Sequence, residues 1–135
     1  IEDDEDAAEL LQLFLSHLGH TVTTQYSGAE ALQAAENQRF DHILMDLTLP
    51  DYNGYDLASE LKQKLPDAIL TIVSGHEADS EAMTTIGINS ALLKPVTKDD
   101  LASVVGWKVN FIAANLYRMS EVEQRIIKTK KILQT

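Results

Sequence analysis

Four places in the chain carry residues whose types and spacing could do chemistry. Asp46 ends the apolar run Ile43-Leu44-Met45, with Pro50 and Gly54 punctuating the loop behind it. Glu2 and Asp3 open the acidic run Glu2-Asp3-Asp4-Glu5-Asp6. Ser74 follows the apolar run Ala68 to Val73, and Lys94 follows Ala91-Leu92-Leu93. In an open α/β sheet, ligands sit outside the carboxyl ends of the strands, so all four stand where a site belongs. Alone, Asp46 reads equally well as a loop residue capping the next helix; the other three change the balance.

Three carboxylates gathered at one edge repel one another. At ~4 Å each pair costs about 1 kcal/mol in water-like dielectric and about 4 kcal/mol at an effective dielectric of 20. A cation must offset that cost, and an all-oxygen ligand set without Cys or His suits Mg²⁺, which keeps waters and leaves positions for a phosphate. Lys94 then offers a point charge and Ser74 a hydroxyl donor to phosphate oxygens. Asp46 would be the nucleophile, forming an acyl phosphate.

The elements that must position these groups alternate. Leu10, Leu11, Phe14, Leu15 and Leu18 fall at helical spacing ahead of Gly19, a left-handed stop. Thr21 to Gln25 is rich in β-branched residues and predicts a strand. Ser27, with Glu30 in the capping-box position, predicts a helix to about Asn37. Phe40 to Met45 and Ala68 to Val73 predict buried strands, with a helix over Tyr55 to Lys64 stopped by Pro66. A short helix over Ser80 to Ile86, a last strand over Ser90 to Leu93 and a helix capped by Thr97 complete the pattern. Such alternation gives a parallel sheet with helices on both faces, in five strands and five helices. The acidic run follows Ile1 at once, so the first strand is expected mostly ahead of Ile1.

The 135 residues form one domain of substantial core, 44% apolar, with no apolar run long enough to cross a membrane. The absence of cysteine excludes disulfides, thiolate catalysis and Cys-ligated zinc, and a cytoplasmic location fits. Residues 1–117 hold 19 acidic against 6 basic side chains, and residues 118–135 hold 2 against 5. The acidic body disfavours direct nucleic-acid binding, and the basic tail reads as a solvated helix face. Histidines 17, 20, 42 and 76 are scattered over different elements and read as surface or core residues rather than metal ligands.

Five segments in order now resemble one family: Ile1-Glu2-Asp3-Asp4-Glu5, Ile43-Leu44-Met45-Asp46-Leu47, Leu49-Pro50 with Gly54, Ile72-Val73-Ser74-Gly75, and Leu93-Lys94-Pro95. Over residues 1–107 the chain resembles the receiver domain of bacterial two-component response regulators. The resemblance implies a flavodoxin-like, doubly wound, five-stranded parallel sheet of order 2-1-3-4-5. It implies that Asp46 accepts a phosphoryl group from a sensor histidine kinase or a histidine phosphotransfer protein. Glu2, Asp3, Asp46 and the backbone carbonyl of Thr48 would hold Mg²⁺, and Lys94-Pro95 would be cis. The module would signal rather than turn over substrate, with His76 and Thr48 tuning the access of hydrolytic water. A degenerate receiver acting only as a protein-binding scaffold is one alternative. A phosphatase of the haloacid dehalogenase type is another, although those enzymes carry a second Asp where this chain has Thr48.

Two departures stand out. Ala91 occupies the position, three before the lysine, where such domains usually carry an aromatic switch residue. The chain also runs on: residues 108–135 read as a helical extension or linker to an output domain beyond Thr135. Val105, Ile112, Met119, Ile126 and Leu133 recur every seven, with Val109, Leu116, Glu123 and Lys130 four residues after the first four. That seam, over a continuous C-terminal helix, predicts a parallel coiled coil joining two copies of the chain.

Overall fold

The computed structural model describes residues 1–106. Helix α1 spans Glu5–His17; the Asp4 carboxylate accepts from Ala7 N, and Glu5 and Asp6 occupy the first turn, where the helix dipole favours negative charge. Gly19, at φ 91°, takes the left-handed conformation after the helix. Of the residues at helical spacing, Leu18 is buried, Leu11, Phe14 and Leu15 are half-buried, and Leu10 is exposed.

Helix α2 spans Gly28–Asn37 with Ser27 as its cap, the hydroxyl accepting from Glu30 N. Strand β1 covers His42–Asp46 and helix α3 Gly54–Lys64, the latter capped by Asn53, which accepts from Tyr55 N and Asp56 N. Strand β2 (Ile69–Ser74) leads through a loop to α4 (Ser80–Ile86), which ends at Gly87 with φ 90°. Strand β3 covers Ser90–Leu93, and α5 (Lys98–Val105) opens on a full capping box between Thr97 and Asp100.

The three strands form a parallel sheet in the order β1-β2-β3. Ile43, Met45, Leu70 and Ile72 share one core with Ala35, Leu57, Ala58 and Leu61, so α2 and α3 cover that face, and α4 follows α3 along it. Helices α1 and α5 pack together over the other face, where Ala8 and Leu101 are buried. The register decides the function of the edge. Asp46 lies opposite Val73, one residue before Ser74, and Ser74 lies opposite Leu93, one residue before Lys94. The sheet thus delivers the three groups side by side.

The expected strand over Thr21–Gln25 is a correction: among the described residues it has no ladder, only extended chain. Its reason is the lack of a neighbour. Among the described residues, Ile1 and Glu2 are the backbone bonded between it and β1, with Glu2 N donating to Gln25 O (3.1 Å) and Asp46 N to Ile1 O (2.9 Å). Beside them a gap of about 310 Å³ separates Thr21–Thr24 from His42 and Leu44. A strand without a partner gains no ladder bonds to offset its ordering. A second correction concerns the tail. Helix α5 stops at Val105, because Gly106 takes φ 68° and ψ 178°, so no helix runs continuously from Val105. The seam beyond it lies outside the described residues.

Gly54 allows α3 to start directly under the loop that follows Asp46. A Cβ there would meet the Leu47 carbonyl oxygen at 2.4 Å and Leu47 Cα at 2.6 Å, both backbone. Alanine in place of an exposed helical glycine gains up to ~1 kcal/mol, but backbone overpacking costs ~1–3 kcal/mol and should win here. Gly54→Ala is therefore expected to lower unfolding free energy in urea by about 2 kcal/mol. Gly75→Ala, with open space around its Cβ, should stay within about 0.5 kcal/mol of the parent. Equal effects of the two would contradict the packing.

Candidate functional site

Asp46 is held from both sides. Its Oδ1 accepts from Thr48 N (2.8 Å) and its Oδ2 from Lys94 Nζ (2.6 Å). Lys94 Nζ also donates to Glu2 Oε2 at 2.9 Å, while Glu2 Oε1 accepts from Asp4 N at 3.2 Å. Glu2 and Asp46 are 3% and 7% exposed; Asp3 faces solvent. Ligand oxygens of Glu2, Asp3 and Asp46 lie within 4.8 Å of one another, so the three carboxylates predicted from sequence do converge.

Ser74 and Thr48 stand at the same edge in different ways. The Ser74 side chain is buried and accepts from His76 N at 3.2 Å, turned into its own loop. Its carbonyl accepts from Lys94 N at 2.7 Å, which carries the sheet one step beyond β3. Thr48 presents its N–H to Asp46 and bridges antiparallel to Asn53. The Lys94-Pro95 peptide is cis, as expected. His17, His20 and His42 lie away from this edge: His20 Nε2 donates to the Gly106 carbonyl at 2.7 Å, and its ring stands edge-on to His42.

Burial works against the charged form of Asp46, yet the Lys94 ammonium and the Thr48 N–H outweigh it and hold its carboxyl below the ordinary carboxylate range. For Glu2 burial prevails over the Lys94 contact and pushes the carboxyl up. Burial also lowers Lys94, but its bonds to Asp46 and Glu2 more than reverse this and raise it. Two carboxylates thus share one ammonium with a third, Asp3, beside them, leaving formal negative charge that a divalent cation would offset. The donor set is all oxygen and partly solvent-facing, which fits a hard cation retaining waters.

Sequence reasoning missed two residues. Asp51, at the tip of the loop after Asp46, accepts from Gly28 N and Ala29 N, and Tyr55 Oη accepts from Asp79 N. Both contacts join residues more than twenty positions apart, where no periodicity or local motif gives a signal.

Lys94→Met should expose the electrostatic role of the lysine. Removing one partner of a largely buried pair costs about 3 kcal/mol near pH 7. The abandoned carboxyls would then have folded pKa values above their unfolded ones, so the deficit should shrink as pH falls through that raised range and the groups take up protons. Urea titrations at pH 7 and pH 4.5 measure the difference. A deficit independent of pH would mean that Lys94 contributes packing alone.

Comparison with known proteins places the chain. A family model described as the response regulator receiver domain matches residues 1–106. The chain is 33% identical over 107 residues to the transcriptional regulatory protein GlrR of Escherichia coli K12, spanning 78% of this chain and 24% of that protein. It is 29% identical over 102 residues to the response regulator ArlR of Staphylococcus aureus, spanning 75% of this chain and 47% of that one. It therefore spans less than half the length of these relatives. The crystal structure of a CheY-like receiver domain protein from Methanospirillum hungatei JF-1 aligns with TM-score 0.72 at 26% identity, covering 76% of this chain and 83% of that one. With its sheet order, its acidic edge and its strand-end lysine, this chain belongs to the response regulator receiver domain family over residues 1–106.

Proposed function

We propose that the chain is a phosphoacceptor signalling module of a two-component system, with Asp46 as the acceptor. The observation that carries this reading is the arrangement of Asp46 itself. It is a buried carboxylate at the end of β1, with one oxygen on Thr48 N and the other on Lys94, within 4.8 Å of the Glu2 and Asp3 oxygens. The donor is the phosphohistidine of a sensor kinase or of a histidine phosphotransfer protein. An Asp46 oxygen attacks phosphorus, the phosphorus–nitrogen bond breaks, and the imidazole leaves with its electron pair and takes up a proton. The product is an acyl phosphate on Asp46.

The residues divide the work. Glu2, Asp3 and Asp46, with the Thr48 carbonyl, would hold Mg²⁺, whose charge offsets that of the incoming phosphoryl oxygens. Lys94 exchanges its carboxylate contact for a phosphoryl oxygen, and the Ser74 hydroxyl donates to another after leaving its own loop. Thr48 and His76 would tune the access of hydrolytic water. The 21–25 segment, the Ile1–Glu2 chain, β1, β2 and β3 would stand in the order 2-1-3-4-5. The bonds from Glu2 to Gln25 and from Asp46 to Ile1 support that order. The location is cytoplasmic, without direct contact to membrane or nucleic acid by this fragment. Among the described residues no helix is long and apolar enough to cross a membrane.

Incubation with acetyl phosphate and Mg²⁺ is expected to add a single phosphoryl group, read by intact mass, and none in Asp46→Asn. Label that survives in Asp46→Asn overturns the assignment. Steady turnover would instead indicate a phosphatase, and no label at all a scaffold.

The second part of the proposal concerns residues 108–135, a linker helix that pairs two copies and leads to an output domain. With α5 ended at Val105, the supporting seam is Val109, Ile112, Leu116, Met119, Ile126 and Leu133. From Val109 to Leu133 a helix would reach about 36 Å, more than the ~30 Å of a small domain, so its far end needs a partner. Glu123 and Lys130 on the seam would lower affinity and fix register. Light scattering on residues 1–135 should give a dimer that weakens in a chain ended at Asn115. A monomer at ~100 µM excludes the coiled coil.

A further inference from the structure

We infer that Asp51, with Tyr52 beside it, is a positioning residue for the Asp46 site, clamping the tip of the 47–53 loop to the start of α2. This fixes the backbone that Thr48 presents to Asp46 and to a bound cation. The inference rests on the reading of Asp46 as phosphoacceptor.

The base of this loop is closed locally. Thr48 N reaches Asp46, Thr48 bridges to Asn53, Asn53 caps α3, and Gly54 lies against Leu47. Beyond its buried Leu49, the tip is held by α2. Asp51 Oδ1 accepts from Gly28 N and Oδ2 from Ala29 N, each at 3.0 Å. Together with Ser27, which accepts from Glu30 N, it satisfies the first three N–H groups of the helix. Those two backbone donors hold the Asp51 carboxyl below the ordinary carboxylate range even though it faces solvent. The second contact is steric. Gly28 lacks a side chain where the Tyr52 ring lies: a Cβ there would stand 2.5 Å from Tyr52 Cδ2.

A bidentate, charge-assisted contact fixes direction as well as distance. Thr48 is three residues from Asp51 on a short closed loop, so tilting the tip rotates the Thr48–Leu49 peptide. Thr48 serves the site through both of its peptides, its N–H toward Asp46 and its carbonyl, by the same reading, toward the cation. Ser27 supports the same helix without touching the loop. The two caps therefore separate the stability of α2 from the placement of Thr48.

The test is Mg²⁺ affinity by calorimetric titration of the full 1–135 chain, with circular-dichroism melts to compare stability. Asp51→Ala should raise the Mg²⁺ Kd about fivefold, the effect of one misplaced hydrogen-bonding group. Ser27→Ala, at similar loss of melting temperature, should leave Kd within about twofold of the parent. Where Asp51→Ala does not fold, Asp51→Asn keeps one acceptor oxygen and should give a smaller rise, about twofold. The same order is expected in the rate of labelling by acetyl phosphate. A parental Kd in both Asp51 variants, or an equal rise in Ser27→Ala, overturns the clamp while leaving the site intact. A parental Kd in Asp46→Asn overturns the site reading and the clamp with it.

Discussion

One ammonium group holds the carboxyl edge of the sheet together. Lys94 reaches Asp46, 48 residues away, and Glu2, 92 residues away, and no other cationic side chain is bonded to them among the described residues. Neighbouring strands lie ~4.8 Å apart, so Lys94 and Asp46 start two strand spacings from one another. A long side chain is needed to cross that distance. The one-residue advance at each step, Ser74 beyond the level of Asp46 and Lys94 beyond the level of Ser74, adds to the distance it must cross. Without the contact, two buried carboxylates would face each other at a cost of about 4 kcal/mol at an effective dielectric of 20. Sheet order, register and the extended chain at Ile1–Glu2 are therefore all tied to one charge balance.

That balance is left incomplete. Burial raises Glu2 while Lys94 and Thr48 lower Asp46, so the site separates two carboxyls in their readiness to ionise. The carboxyl held ionised is the one suited to act as nucleophile. Its partner Lys94 keeps its proton over the physiological range, since its raised value lies above an ordinary 10.5 and its stabilising charge is lost only above that. A cation held by Glu2, Asp3 and Asp46 would compete with this ammonium for the same oxygens and leave it able to meet an anion. A structural ion pair needs no such surplus of negative charge; a site that takes up a metal and a phosphoryl group does.

Much of this was legible in the sequence, and the reasons for the rest are specific. The strand ends at Asp46, Ser74 and Lys94, the caps at Ser27 and Thr97, and the stop at Gly19 are local signals, and each element formed where they pointed. The 21–25 strand failed because strand formation depends on a neighbour, which β-branched residues cannot report. Leu10 alone of the α1 stripe stands exposed, since helical spacing does not say how wide a partner surface is. The heptad spacing predicts a helix running on from Val105, whereas the positive φ of Gly106 ends α5 there. Asp51 and Tyr55 were invisible because their partners lie on other elements. Their residue types suit turns and helix starts just as well.

The position of Ala91 bears on how the edge connects to the rest of the molecule. Ala91 and Leu93 both face solvent on β3, Leu93 at 54% exposure, and β3 itself carries no aromatic ring. The neighbouring α4 is seven residues long and buries none of them. Elements with few buried contacts open at the lowest free energy, which makes α4 the most easily displaced helix described. Its N-terminus is tied by Asp79, whose carboxylate caps Glu81 N and Ala82 N while its own N–H donates to Tyr55 Oη at 2.8 Å. Tyr55 is the second residue of α3, directly after the glycine that packs on Leu47. A path of short contacts therefore runs from the Asp46 loop through Gly54 and Tyr55 to the start of α4. A second leads there from Ser74 through the 75–79 loop. Where an aromatic side chain would link the site to this helix by packing, this chain links it by backbone and one tyrosine hydroxyl.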